Sequence, residues 1–355
     1  MPRVAIVGGG LAGFVAYLTL RRGGVEDVTV FSTEEDPAAA WRRRAAAIRQ
    51  THMRSESDGH CLPTSFPGLA VRDARRRRSL GPLAASVCNR YHPTVESFLG
   101  HVEEQRTASG WQPALSRIER VRAVDRGFEL DSHGTFEHVL LATGPPGPAL
   151  PEELRGDYRA VHAYEPHEYA ESVCVLGAGL AAATEWRNAL AAGSRVISVR
   201  RREPVRRPLN VPREYLTRRG LAGFHKRGRE ERARLLNDLL APSFPRGSEW
   251  DEPLASDRFT VESRVNGADQ VICATGFLHG FRHDPLLAQL AAVHELATAN
   301  GWIELSPDST VPALTDESRT LAIAGVAAQW AYPAADTLMG ARYAAHGFLR
   351  RCRTR

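Results

Sequence analysis

The sequence predicts an α/β protein with two Rossmann-like units, from two segments built on one plan and from a spacing that they share. Residues 4 to 32 and 173 to 201 each contain a short apolar run, a glycine-rich turn, an Ala/Leu-rich helical stretch and a second apolar run. The distance from Gly10 to Ser32 is 22 positions, and so is that from Gly179 to Arg201. One such unit is a weak sign of a nucleotide site. Two in one chain imply two dinucleotides, and two dinucleotides normally mean electrons passing between them.

The first unit opens with Val4-Ala5-Ile6-Val7 and turns at Gly8-Gly9-Gly10-Leu11-Ala12-Gly13. A strand that ends in G-x-G-x-x-G and enters a helix lets the backbone come close to a pyrophosphate, and the helix N-terminal amides add donors and positive potential. Side chains at Gly8 or Gly10 would block that approach, and Gly13 governs how tightly helix and strand pack. A helix over residues 11 to 20 and a strand over 28 to 31 follow. At the strand end, where the adenosine ribose lies, Ser32 replaces the usual carboxylate, with Glu34 and Glu35 just beyond. A serine hydroxyl bonds a ribose more weakly than an ionised carboxylate does.

The second unit repeats the plan with Val173-Cys174-Val175-Leu176 and the turn Gly177-Ala178-Gly179-Leu180-Ala181-Ala182, where Ala182 is tolerable at the packing position. A helix over 180 to 192 and a strand over 195 to 199 lead to Arg200, Arg201 and Arg202. A guanidinium cluster there suits a 2′-phosphate better than a free hydroxyl, so this site should prefer NADPH to NADH. A basic loop in an arginine-rich protein is the alternative.

Composition narrows the class. The 355 residues, 43% hydrophobic and 25% charged, suit a globular protein of two or three domains. The five cysteines, Cys61, Cys88, Cys174, Cys273 and Cys352, include no C-x-x-C pair, which argues against a dithiol centre and a metal site. The net charge is +5, with Lys226 the only lysine; the runs at 42 to 44 and 75 to 78 read as solvated faces, and no nucleic acid partner is expected. The uncharged stretch from Val4 to Leu20 carries phosphate-turn glycines and no cleavage site, so it is not read as a secretory signal. No run is long enough to span a bilayer, and the expected location is cytoplasmic.

With these features the chain resembles the FAD- and NADPH-dependent flavoprotein monooxygenases, a group that includes Baeyer–Villiger, flavin-containing and N-hydroxylating enzymes. The likeness extends to Leu140-Leu141-Ala142-Thr143-Gly144 and Val271-Ile272-Cys273-Ala274-Thr275-Gly276-Phe277, similar to the family's closing strands and domain crossings. Asp36-Pro37-Ala38-Ala39-Ala40-Trp41 stands where the family carries G-G-x-W beside the flavin. Leu154-Arg155-Gly156 with His162-Ala163-Tyr164 is a loose version of F-x-G-x-x-x-H, and Ala322-Ile323-Ala324-Gly325, Trp330 and residues 333 to 339 are similar to the last strand and flavin-facing helix. Ala38, Ala39, Leu154 and the longer spacing to His162 depart from the pattern.

The resemblance implies an FAD domain of residues 1–150 and 277–355 and an inserted NADPH domain of 151–276, with 203–265 shaping a substrate mouth. It implies FAD contacts from Gly8, Gly10, Gly13, Ser32, Trp41, Thr143, Gly144, Gly325, Trp330, Asp336 and Thr337. NADPH contacts come from Gly177, Gly179, Ala182, the three arginines, Thr275 and Gly276. Asp336 and Thr337 also suit a helix cap. The stretch His52-Met53-Arg54-Ser55, with His60, is a candidate active-site wall in which Arg54 holds an anionic group, and His162 is a candidate for positioning nicotinamide. The implied reaction uses molecular oxygen, through a flavin hydroperoxide, to oxygenate nitrogen, sulfur or carbon of a small metabolite. A flavoprotein reductase that never activates oxygen and a nucleotide-binding sensor without flavin remain as alternatives.

Overall fold

The structure, a computed structural model, describes residues 3–54, 68–87, 91–207 and 211–353. Its frame is two parallel sheets. The first has the order Thr310–Thr315, Thr320–Ile323, His138–Leu141, Val4–Val7, Val28–Ser32, Ala114–Leu115, parallel throughout except for the outermost Thr310–Thr315. The second has the order Phe259–Glu262, Arg195–Val199, Ser172–Leu176, Gln270–Cys273, Ala160–His162, all parallel. The first sheet thus takes strands from both ends of the chain and the second from its middle.

Each glycine turn follows a strand buried on both faces, which explains why those strands are unbroken apolar runs rather than alternating ones. Val4, Ala5 and Ile6 are fully buried, as are Val173, Cys174 and Val175. Behind the first turn, helix Leu11–Arg22 is buried from Gly13 to Leu20 because helix Leu338–Arg353 covers the side turned away from the sheet. The small residues Gly340, Ala341, Ala344, Ala345 and Gly347 of that last helix allow the close contact. Helix Leu180–Ala191 covers the second sheet and inserts the fully buried Trp186 against Phe244 and Phe259.

Two chain segments cross between the sheets side by side. Ala149 N–H donates to Gly276 O at 3.0 Å, and Leu278 N–H donates to Gly147 O at 2.9 Å. A parallel pair of short strands, Val205–Arg206 and Ser243–Phe244, stands beside the second sheet. Among the described residues no helix is long and apolar enough to cross a membrane, and no side-chain cluster could hold a metal ion. Ser55, His60, Cys61 and Cys88 lie outside the described residues.

Candidate functional site

At the first turn the three glycines have separate duties. Gly8 has φ +105°, and a Cβ there would lie 2.2 Å from the Ala142 carbonyl oxygen; a Cβ on Gly13 would lie 1.9 Å from the Gly8 carbonyl oxygen. Folding itself demands these two. Gly10 is different, with an ordinary extended backbone (φ −67°, ψ −175°) and no atom within 4 Å of a Cβ placed on it. Its missing side chain keeps open the space above helix Leu11–Arg22, which has no side-chain cap and no acidic residue in its first turn. An uncapped N-terminus under open space is what a pyrophosphate requires.

The second turn repeats this division. Gly177 has φ +135° and a Cβ there would lie 2.4 Å from Ala274 O, whereas Gly179 has nothing within 4 Å. Helix Leu180–Ala191 likewise starts without a side-chain cap or acidic residue, and Ala182 is fully buried at the packing position. Both turns therefore fit a dinucleotide pyrophosphate.

Around the first turn the fold gathers Thr143 and Gly144, which extend His138–Leu141, and Gly325, whose Cβ position is 3.5 Å from Ala12 Cβ. Trp41 sits half-buried with its ring against Phe98, centroids 4.8 Å apart. Ala38, in place of a family glycine, is fully buried at φ −96°, so alanine there carries no backbone strain. Ser32 requires a correction as a ribose ligand. Its Oγ donates to Glu34 O at 2.7 Å and accepts from Glu34 N–H at 3.1 Å, and a Cβ on Gly9 would collide with it. The hydroxyl is used inside its own loop, and Glu34 is held bidentately by Arg43.

The crossing segments engage three of the expected site residues, His162, Thr275 and Gly276. His162 is 2% exposed; its Nδ1 accepts from Tyr164 N–H at 3.2 Å and its Nε2 contacts Gly276 O at 3.1 Å. That pattern fixes a neutral ring with the proton on Nε2, and burial pushes its pKa down despite the Gly276 contact. With both nitrogens committed, His162 braces the linker. Thr275 Oγ1 donates to Ala149 O, and Gly276 O accepts from Ala149 and His162, so both help to build the crossing, while a Cβ on Gly276 would meet nothing within 4 Å.

At the start of the last helix Thr337 Oγ1 accepts from Gly340 N–H at 3.1 Å, a true cap, while Asp336 is exposed. Trp330, expected among the FAD contacts, is packed as a core residue. It is 2% exposed and lies under the Arg232 guanidinium, 4.4 Å from the ring centroid. Arg54 reaches across the molecule to donate to Ser243 Oγ at 2.6 Å and Arg207 O at 3.3 Å. Burial first, and then the neighbouring Arg207, push its pKa down to about 10, opposed by Asp336.

Beyond the second strand, Arg200 is mostly buried and pairs with Glu203 at 3.0 Å, whereas Arg201 and Arg202 are exposed. Arg44 also departs from the solvated reading of its run, since it stacks on Phe277 at 4.6 Å. Several groups gave no local signal in the sequence: Arg206 with Asp251 and Phe244, Ser243 with Arg54, and a buried Glu185 bonded by His167 and Tyr169. Their partners are distant in sequence or lie on unrelated elements. Cys174 and Cys273 are fully buried on neighbouring strands, and burial pushes both thiols up to about 11, where they are inert.

The geometry has counterparts among solved structures. The ornithine N-hydroxylase of Kutzneria sp. 744 matches with TM-score 0.73 at 14% identity, over 99% of this chain and 100% of that one. L-lysine 6-monooxygenase from Pseudomonas syringae matches at 0.71 and 14%, over 99% and 100%. Bacillithiol disulfide reductase from Bacillus cereus matches at 0.61 and 15%, over 98% of each. At these identities the likeness is one of fold. No curated protein matches the chain significantly in sequence. The family model of the pyridine nucleotide-disulphide oxidoreductases matches residues 2–215, a span that includes both glycine turns. The chain belongs to the pyridine nucleotide-disulphide oxidoreductase family.

Proposed function

We propose that the protein is an NADPH- and FAD-dependent monooxygenase that oxygenates a small metabolite at a nucleophilic nitrogen, sulfur or carbon. The observation that carries this reading is the pair of uncapped helix starts, each under an open second-glycine position, on two parallel sheets of one chain. We assign FAD to the first turn, with residues 1–150 and 277–355, and NADPH to the second, within 151–276. When bound, the cofactors supply hydride transfer from nicotinamide to flavin and oxygen activation by the reduced flavin.

The chain's own part is to bind, align and exclude water. The starts of helices Leu11–Arg22 and Leu180–Ala191 hold the pyrophosphates, and Arg200 serves the adenosine end of NADPH. With FAD in the first site, the start of helix Leu338–Arg353, set by Thr337, would face the flavin. The segment 203–265 closes the substrate side: Ser243 and Arg207 meet Arg54, Arg232 meets Trp330, and His225 contacts Ala331 O at 2.7 Å. Buried inert thiols and the absence of a paired-cysteine motif favour this reading over disulfide reduction.

An absorption spectrum followed by anaerobic addition of NADPH tests the proposal. Flavin that bleaches with NADPH, reoxidises in air and yields a hydroxylated product supports it. The first substrates to try are ornithine, lysine and cadaverine, which name the activities of three structural neighbours. A protein that takes up no flavin refutes it, and NADPH oxidation only with an added acceptor shifts the reading to a reductase.

A further inference from the structure

Helix Ala39–Ala47 belongs to the unit we assign to FAD and carries Trp41 near its start, yet its far end is planted in the other unit. Arg44 passes the crossing by stacking on Phe277, and one helical turn further on Ile48 is 2% exposed. Ile48 joins the apolar core of the second sheet, with Val173, Trp186 and Ile272, and among the described residues it is the only member from 1–150. Asn188 Nδ2 donates to the Ile48 carbonyl at 2.7 Å. Beside it, Arg187 donates to Arg49 O at 3.4 Å and to Thr51 Oγ1 at 3.2 Å.

Arg49 closes the contact from the side of the first unit. It donates to Glu168 Oε2 at 2.7 Å and to His167 O at 3.3 Å, with its guanidinium 4.9 Å from the Tyr169 ring centroid. Tyr169 is held in turn by the fully buried Glu185, whose Oε2 accepts from Tyr169 Oη at 2.8 Å and lies 3.1 Å from His167 Nε2. To reach these partners Arg49 takes φ +46°, a left-handed conformation that glycine adopts freely and other residues seldom do. An exposed Arg–Glu pair stabilises a fold very little, so folding alone does not account for that strained backbone.

Glu185, Arg187 and Asn188 all lie on helix Leu180–Ala191, whose uncapped start is the proposed pyrophosphate site for NADPH. The two crossing segments, bonded side by side at Ala149–Gly276 and Gly147–Leu278, form a narrow hinge, and a contact away from a hinge is what stops rotation about it. We propose that Ile48, Arg49 and Asn188 are positioning residues for hydride transfer: they lock the helix that holds NADPH to the helix that carries Trp41, and so set the nicotinamide against the flavin. In that step the hydride carries two electrons from nicotinamide to flavin, leaving NADP⁺ and anionic reduced flavin. This inference rests on the reading of the two turns as the FAD and NADPH sites and adds what fixes one against the other.

Anaerobic stopped-flow mixing of the FAD-loaded full chain with NADPH tests it, read as the limiting rate of flavin bleaching and as the NADPH dissociation constant. Arg49→Gly and Asn188→Ala should each lower the limiting rate about tenfold or more, because a small misplacement of reacting groups is costly, and leave FAD content and the dissociation constant within about twofold. Glycine suits the left-handed backbone, so Arg49→Gly should melt close to wild type. Arg49→Lys, which keeps a cation over Tyr169, should recover most of the rate. In the cofactor-free chain both variants should exchange amide hydrogens faster at Ala149 and Leu278, which bond across the crossing. If Asn188→Ala fails to fold, Arg49→Gly carries the test. Unchanged limiting rates, unchanged exchange, or a slower rate that comes only with lost FAD, weaker NADPH or a lower melting temperature overturns the proposal. A wild-type flavin that NADPH does not bleach refutes the two-site reading and this inference with it; wild-type bleaching beside unchanged variants overturns the inference alone.

Discussion

Replacing Gly10 by alanine separates a ligand cradle from a packing solution, because its neighbours Gly8 and Gly13 are fixed by the fold and Gly10 is not. At Gly8 a methyl group would sit 2.2 Å from a backbone oxygen at φ +105°. The left-handed backbone costs about 1–2 kcal/mol and the overlap about 1–3 kcal/mol more. A total of about 2–5 kcal/mol is a large part of a typical stability of about 5–15 kcal/mol, and should lower the melting temperature by about 10 °C. At Gly10 the methyl group meets nothing within 4 Å. Stiffening the unfolded chain contributes about 0.4–1 kcal/mol, and loss of a favoured cap residue offsets about as much, so stability should barely move. A pyrophosphate kept off the helix start loses one or two charge-assisted bonds, about 3 kcal/mol or roughly 150-fold in affinity. The assay is flavin absorbance per protein after FAD loading, read beside the melting curve. Gly10→Ala protein that holds FAD as tightly as wild type, or melts as low as Gly8→Ala, would refute the reasoning.

Other expectations follow from the same structure. His167 contacts Glu185 Oε2 at 3.1 Å; burial pulls its pKa down, but the bonds to Glu185 and to the Glu165 carbonyl outweigh burial and leave it raised. That stabilisation is complete below the unfolded value of about 6.5 and is lost as pH rises through the raised folded value. His167→Leu should therefore cost about 3 kcal/mol near pH 6, with a gap to wild type that narrows in denaturant titrations at higher pH. His162→Asn should melt earlier yet leave the pH dependence of NADPH oxidation in place, since both ring nitrogens are already bonded; a lost limb in that profile would refute this bracing role. Thr337→Ala should cost about 1 kcal/mol and Thr337→Ser almost nothing, by chemical denaturation.

The sequence alone determined what is contiguous in the chain. Strand, turn and helix at residues 4–22 and 172–191 follow within a few residues of one another, so glycine spacing and apolar runs specify them without distant partners. The arginine-rich end of the second strand was legible for the same reason, being the next residue after Val199. Tertiary structure decided how each side chain is used. Ser32 occupies the ribose position in the sequence, but contact with Gly9 and a local bond to Glu34 turn its hydroxyl inward. His162 and Thr275 lie far apart in the chain, and only the paired crossing makes both into braces. Arg54 meets Ser243 across 189 positions, and Arg206 meets Asp251 across 45. Hydrogen bonds and ion pairs act over a few ångströms whatever the separation along the chain, so a pattern of neighbours fixes the turns, and only the packed chain fixes the partners.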